Sequence, residues 1–177
     1  MAPVAQDPAA GRNHERSRGW PLAGLVLMLV LGAFPALSAV LDLLTDSRTG
    51  LPPDHAGTFT AITGSRWPQA QASTPGTAHY ITLLERGYAL HELTFALLFL
   101  LIVAIPFRRR QRWAWWAAWT PVIADLGYTL TFGVHDHTIL LRSLIVDIAL
   151  PVLLLAHVPL FFNGSRRARR RDIASAG

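Results

Sequence analysis

The chain has 177 residues, of which 51% are hydrophobic and 15% are charged, and its formal net charge is +5. Soluble domains carry roughly 25% charged residues, so this composition, in long unbroken apolar blocks, indicates an integral membrane protein with one domain. The chain has no cysteine, which excludes disulfides, thiol catalysis and metal sites built from cysteine. It also has no glycine-rich phosphate-binding loop, so we expect no nucleotide.

All sixteen basic residues are arginines, and most of them lie in three short blocks. These blocks are residues 12–18, 108–112 and 166–171, and each one borders an apolar stretch. Arginine runs can bind nucleic acid, but runs beside membrane spans usually fix the orientation of those spans. We therefore expect no nucleic-acid partner. We also expect the turn at 108–112 to determine orientation and not to bind a ligand.

The N-terminal part of the chain predicts a tail followed by a first span. Residues 1–19 are polar and predict a disordered cytoplasmic tail. An apolar run then extends from Trp20 to Leu44, with Pro35 inside it. A basic start before an apolar run is also typical of a secretory signal peptide. The run is longer than a signal core and three more spans follow it, so we favour an uncleaved helix over about 20–44.

Residues 45–76 form the longest connection and are rich in glycine, proline, threonine and serine. A connection of this length is often functional or partly structured. The stretch from Phe59 to Trp67 predicts a short interfacial helix with Trp67 at the level of the lipid headgroups. Ser73-Thr74-Pro75-Gly76 predicts a helix start, because serine or threonine caps helices and proline fits their first turn.

Three further spans are predicted over about 77–107, 113–133 and 139–162, followed by a basic cytoplasmic tail at 163–177. Four spans place both termini on one side, and all three arginine blocks fall on that side. The positive-inside rule then puts both termini in the cytoplasm and residues 45–76 outside. The predicted fold is all-α, a four-helix transmembrane bundle in the inner (plasma) membrane.

Two motifs resemble those of a known group of proteins. Residues 107–116 (FRRRQRWAWW) and 63–67 (TGSRW) resemble uncharacterised small prokaryotic four-helix membrane proteins of DoxX-like shape. The resemblance covers about residues 55–162. It implies the four-helix fold and brings no catalytic residues with it.

A second resemblance is to the sterol-isomerase (emopamil-binding) type of membrane domain. Glu92-Leu93-Thr94 in one span resembles the Glu-x-Thr of that family, and Asp125-Leu126-Gly127-Tyr128 in the next resembles its Asp followed by Tyr. This resemblance implies acid–base chemistry on a sterol-like lipid, and it defines the enzyme alternative for this chain.

Polar side chains at similar depth on three predicted spans form a central layer. Ionisable groups at that depth are costly, so they usually face a bundle interior and often mark a site. We expect one ligand-binding pocket, in which at least one acid holds a proton at neutral pH. The alternative is a hydrogen-bonded network that only joins helices. The predicted pocket residues are Tyr88, His91, Glu92, Asp125, Tyr128, Thr129 and Asp147.

A second polar layer lies within about two turns of the outer interface. It contains Asp42, Glu85, Arg86 and Arg142, and pairing of opposite charges among them would offset their desolvation. We expect no metal or other cofactor. The histidines of His135-Asp136-His137 are more typical of a solvated loop than of a metal site, and the predicted depths of His91 and His157 differ too much for one haem.

Three functions stay open at this point. The favoured one is a small membrane protein that binds or helps to move a small amphipathic or cationic ligand through a polar pocket at mid-membrane. The second is a membrane-embedded acid–base enzyme, isomerase-like, acting on a lipid or sterol-like substrate. The third is an accessory subunit of a membrane complex. The expected partners are the lipid bilayer and the hydrophobic or cationic ligand, and the sequence leaves open whether the chain forms a homo-oligomer.

Overall fold

The structure is a computed structural model that describes residues 8–162, with side chains from Leu22 onward. Every regular element in this range is helical. The first helix, α1, is Pro8–Asp46, so the structure has helix over residues 8–19, where the sequence predicted an unstructured tail. The predicted tail at 163–177, and residues 1–7, lie outside the described residues.

Three helices are long and apolar enough to cross a membrane: Leu22–Asp46 within α1, Pro75–Phe107 and His137–Phe162. They contain 25, 33 and 26 residues, against the roughly 20 that a hydrocarbon layer of about 30 Å requires. The second consists of α4 (Pro75–Ile102) and a π-helical turn at Val103–Phe107, and the third is α7 (His137–Phe162). These helices correspond to the first, second and fourth predicted spans.

The third predicted span, 113–133, is divided. It consists of α5 (Arg112–Ala117), α6 (Thr120–Tyr128) and a π-helical turn at Thr129–Gly133. Pro121 explains the division, because proline has no N–H for the carbonyl four residues earlier, and that carbonyl belongs to Ala117. Helix α5 ends at this residue.

The connection between α1 and α4 contains two short helices, α2 (Pro53–Thr63) and α3 (Trp67–Ser73). The predicted helix from Phe59 to Trp67 is therefore wrong in its bounds, because Gly64 adopts a left-handed φ of 71° that ends α2. Trp67 is only 5% exposed, and its indole Nε1 donates to the carbonyl of Thr49 at 2.9 Å. It belongs to a small local core with Leu51 and Ala78.

Helix α4 begins at Pro75 after Thr74, which confirms the predicted helix start. Its N-terminal half lies beside the α1–α4 connection, since the Thr82 hydroxyl donates to the carbonyl of Gly50 at 2.7 Å. The main hydrophobic core is at the other end of the bundle, near the turn at 108–112. Its larger members include Phe99, Phe107, Trp115, Leu154 and Phe161. The described chain therefore has two ends, an α2 end and an arginine-turn end.

Candidate functional site

A cavity of about 410 Å³ lies between α1, α4, α6 and α7, between the two ends of the bundle. We call it the main cavity. Most of its wall is apolar and is formed by Leu31, Gly32, Pro35, Phe95, Ala96, Phe99, Pro121, Ala124, Val146 and Leu150. Its polar wall consists of Tyr88, His91, Glu92, Asp125 and Tyr128. The structure therefore brings five of the seven predicted pocket residues to one space.

The other two predicted pocket residues, Thr129 and Asp147, lie behind this wall. The Thr129 hydroxyl donates to Oδ2 of Asp147 at 2.8 Å. Asp147 also lies near the side chain of Asp125. Oδ2 of Asp125 and Oδ1 of Asp147 are buried, and neither has a hydrogen-bond donor among the described residues.

His91 occupies a different position from the other polar residues of the wall. Its ring is exposed at the edge of the bundle, and Nδ1 lies 2.8 Å from the carbonyl of Gly87 on the same helix. A carbonyl accepts only, so Nδ1 carries the hydrogen. The described hydrogen bonds join His91 to its own helix and not to Glu92 or Asp125.

A smaller space of about 140 Å³ adjoins the main cavity toward the α2 end, and we call it the vestibule. The two spaces share Tyr88, Glu92, Asp125 and Tyr128 in their walls. The vestibule adds Asp42 from α1, Asp54 and His55 from α2, and Arg142 from α7. A series of carboxyl groups therefore leads from the α2 end to the polar wall of the main cavity.

Three of the four residues of the predicted outer layer pair with residues outside that layer, so the predicted pairing among the four is wrong. Glu85 pairs with His55, and the guanidinium of Arg142 lies 3.9 Å from the Asp54 carboxylate. Arg86 donates to the backbone carbonyl of Asp46 at 3.3 Å, and Asp42 lines the vestibule. The charged partners of Glu85 and Arg142 thus come from α2, which sequence reasoning did not connect to the bundle.

His55 is the residue that joins α2 to the site. It lies in the first turn of α2, and its ring is 8% exposed. Nδ1 lies 2.6 Å from Oε2 of Glu85, and Nε2 lies 3.1 Å from the Tyr128 hydroxyl. The ring also stacks on Phe132 with an interplanar angle of 7° and contacts Tyr88 at a centroid distance of 5.8 Å. One side chain from the connection thereby contacts α4, α6 and the π-helical turn after α6.

The charge state of His55 follows from opposing effects. Burial of the ring lowers its pKa, while the hydrogen bond and the charge of Glu85, with smaller contributions from Asp54 and Asp42, raise it. The effects of the carboxylates together exceed the effect of burial, so the pKa of His55 lies above the ordinary value for histidine.

Asp136 also has a structural role. Its carboxylate accepts hydrogen bonds from the backbone N–H groups of Thr138 at 2.7 Å and Ile139 at 3.3 Å, at the start of α7. The hydrogen bond from Thr138 is the largest cause that lowers the pKa of Asp136. The Thr58 hydroxyl of α2 lies 3.5 Å from the same carboxylate. Asp136 therefore caps α7 and gives α2 a second point of attachment.

The described residues contain no group of three or more His, Asp or Glu side chains that could hold a metal ion. The two histidines weighed as haem ligands lie in different surroundings. His91 borders the main cavity, while His157 packs against Phe107 near the arginine-turn end, with a ring centroid distance of 5.5 Å. The structure does not bring their rings together.

Two features of the site were missed from the sequence, namely His55 with its partner Glu85, and Asp54 with Arg142. The available signal was local. Pro52-Pro53-Asp54 is a helix start with an acid in the first turn, and it could have placed His55 on a helix.

Comparison with known protein families, with curated proteins and with solved structures finds no match for this chain.

Proposed function

We propose that the main cavity binds a small amphipathic cation, and that the vestibule is its route of entry. The observation that carries this proposal is the pair Glu92 and Asp125 on the wall of a cavity that is otherwise mostly apolar. A volume of about 410 Å³ falls within the range of small-molecule sites, roughly 300–1,000 Å³. The apolar wall suits the body of such a ligand, and the carboxyl groups suit its charged end.

The charges around the cavity support a cation rather than an anion. The two positively charged groups in the wall of the vestibule have partners of their own, Arg142 with Asp54 and His55 with Glu85. Among the described side chains, none of the arginines or histidines forms an ion pair with Glu92 or Asp125. A carboxylate removed from water is costly unless it is paired, so these groups need either a proton or a positively charged ligand.

The proposed setting is a four-span bundle in the inner (plasma) membrane with both termini cytoplasmic. Three helices have the required length, and residues 112–133 supply a fourth crossing in two helical pieces and a π-helical turn. Large apolar side chains are exposed on the bundle surface, including Phe34 at 62%, Leu130 at 65% and Ile145 at 65%, as expected for a surface that faces lipid. The orientation follows from the three arginine blocks, because arginine-rich segments beside membrane spans usually lie in the cytoplasm.

Three probes that share one body test the charge preference: phenylbutylammonium, phenylbutanol and phenylbutyrate. Binding to the purified protein in lipid nanodiscs is measured by calorimetry. We expect the ammonium to bind best and the carboxylate worst. Glu92→Gln should weaken binding of the ammonium by roughly ten-fold or more, because a hydrogen bond to a charged group contributes about 1.5–3 kcal/mol, while binding of the alcohol changes little.

Asp136→Asn is the matched control for this experiment. It removes the same charge from a residue that lines neither the main cavity nor the vestibule, so binding of the ammonium should persist. The proposal is wrong if phenylbutyrate binds best, or if Glu92→Gln leaves binding of the ammonium unchanged in a folded protein.

One observation favours a second function, an isomerase-like acid–base enzyme for a lipid or sterol-like substrate. Tyr128, whose hydroxyl is hydrogen bonded to His55, lines the same cavity as two residues with carboxyl groups. A proton donor and a proton acceptor in one apolar space are what isomerisation of a carbon–carbon double bond requires. Incubation with an unsaturated sterol in deuterated water tests this function. Deuterium in the recovered sterol, absent with Glu92→Gln, would support the enzyme.

A further inference from the structure

We propose that His55 decides whether the Tyr128 hydroxyl offers a hydrogen or a lone pair to a ligand in the main cavity. His55 acts through Tyr128 and is therefore a positioning residue that makes ligand preference depend on the pH at the α2 end. This inference rests on the proposed function, because it concerns a cation in the same cavity. It also assigns a role to the long connection, which brings His55 to the bundle.

The two hydrogen bonds of the imidazole ring are not equivalent. The ionised Glu85 carboxylate only accepts, so Nδ1 of His55 must carry a hydrogen in both charge states of the ring. Nε2 is therefore the atom that gains or loses the titrating proton. Its partner at 3.1 Å is the hydroxyl of Tyr128, which can either donate or accept.

The direction of the bond between His55 and Tyr128 follows from this difference. When the ring is neutral, Nε2 has a lone pair, and the Tyr128 hydroxyl uses its one hydrogen to donate to it. The remaining lone pairs of the phenol oxygen then face the ligand. When the ring takes up a proton from water at the α2 end, Nε2–H donates to the phenol oxygen, and the Tyr128 hydrogen is released toward the ligand. The two states therefore differ by one proton, which water supplies to Nε2 of His55.

The two states prefer different ligands. A phenol oxygen that accepts suits a primary ammonium, which has N–H donors. A phenol that donates suits a carbonyl or an ether, and it is a poorer partner for an N–H group, because Nε2–H of His55 already occupies one of the lone pairs of its oxygen. A quaternary ammonium has no N–H, so this hydrogen bond does not distinguish the two states for it.

Charged and titratable groups face His55 from each element that packs around it, and most of them are acidic. The acidic groups favour the protonated ring, in agreement with the raised pKa of His55. Tyr128 therefore stays in its donating state up to a higher pH than it would if His55 had the ordinary pKa of histidine. The groups that face His55 are Glu85, Tyr88 and Glu92 from α4, Asp42 and Asp46 from α1, Tyr128 from α6, Asp54 from α2 itself, and Arg142 from α7, which pairs with Asp54.

The test compares phenylbutylammonium with its N-trimethylated analogue in nanodiscs from about pH 5 to about pH 9. Both probes keep their charge over this range, since an alkylammonium titrates near pH 10.4. Titration of the cavity carboxyl groups affects both probes, so the ratio of their dissociation constants largely cancels that effect. We expect the preference for the primary ammonium to increase by roughly ten-fold as the pH rises through the titration of His55.

Three variants identify the origin of this change. The ratio should be independent of pH in Tyr128→Phe, which keeps the pair of His55 and Glu85, and in His55→Gln. In Glu85→Gln the change should move to lower pH, because the Glu85 carboxylate helps to raise the pKa of His55. A purely structural role for these residues would not move the midpoint.

The outcomes separate this inference from the proposed function. If neither cation binds at any pH, the proposed function fails, and this inference fails with it. If both cations bind but their ratio is independent of pH in the unaltered protein, or changes equally in His55→Gln, the inference is overturned and the proposed function stands.

Discussion

The two ends of the bundle each bury a histidine, and the two histidines do different things. At the arginine-turn end, His157 is 2% exposed, and its Nδ1 donates to the carbonyl of Leu153 on its own helix at 2.7 Å. At the α2 end, His55 is 8% exposed and bonds to side chains of two other elements. Burial alone therefore does not indicate a functional histidine. The informative feature is a partner on another element that can itself change its hydrogen bonding.

The surroundings of the two residues explain this difference. His157 lies against Phe107 and so close to Gly24 that a methyl group added there would meet its ring carbon Cε1 at 2.3 Å. Close packing of this kind holds the ring in a single position. His55 lies beside the vestibule with Asp42 and Asp54, where groups can exchange protons with water. The arginine-turn end thus holds the main hydrophobic core, and the α2 end holds most of the titratable groups of the proposed site.

The largest expected effect concerns the sides of the membrane that the two ends face. Because the chain has no cysteine, single cysteines at Ser73 and Ser165 can be labelled without background. We expect an impermeant thiol reagent added to intact cells to label position 73 and to reach position 165 only after the cells are opened. Labelling of position 165 but not of position 73 in intact cells would reverse the proposed orientation, and the α2 end would then face the cytoplasm.

The next effect tests whether the arginine-turn end provides the stability. Trp115 is 6% exposed, and its Nε1 donates to the carbonyl of Leu154 at 2.8 Å. Trp115→Ala should lower the free energy of unfolding by about 3–5 kcal/mol, as removal of a buried aromatic side chain does. Thermal unfolding in detergent measures the change.

Trp113→Ala is the control for this measurement, because Trp113 is 55% exposed, and we expect it to change stability by about 0.5 kcal/mol or less. If Trp115→Ala and Trp113→Ala lower the free energy of unfolding equally, the core at the arginine-turn end is not the source of stability.

The smallest effect concerns how firmly α2 is held at its own end. Because the pKa of His55 is raised in the folded protein, the charged ring stabilises the docked α2 at acidic pH. This contribution is complete below the ordinary pKa of histidine and is lost as the pH rises through the raised value. The loss should be about 1 kcal/mol, the difference between a charged and a neutral hydrogen bond. Hydrogen exchange of the α2 amides, corrected for intrinsic rates, measures it.

His55→Gln should remove this pH dependence from α2 while exchange near Trp115 stays as it was. If the opening of α2 depends on pH equally in His55→Gln, another group controls the docking of this helix.

Much of the helical framework could be predicted from the sequence, because length and apolar composition decide whether a helix can span a membrane. Spacing by three and four residues placed Tyr88 and Glu92 on one face of α4, and both line the main cavity. The helix break before Pro121 follows from the local effect of proline on the preceding turn, which the prediction of one continuous span over 113–133 did not take into account. The position of His55 was not predictable in this way, since it depends on how the connection folds back onto α4 and α6.

The break at Pro121 has a consequence for how the cavity responds to its contents. Pro121 lies in the cavity wall, and Asp125 and Tyr128 follow it on the same short helix. Since proline cannot complete the backbone bond to Ala117, α6 can tilt relative to α5 more easily than the halves of an unbroken helix can. Helix α5 stays fixed through Trp115 and Leu154. We therefore expect a guest larger than the resting space to be accommodated first by displacement of α6.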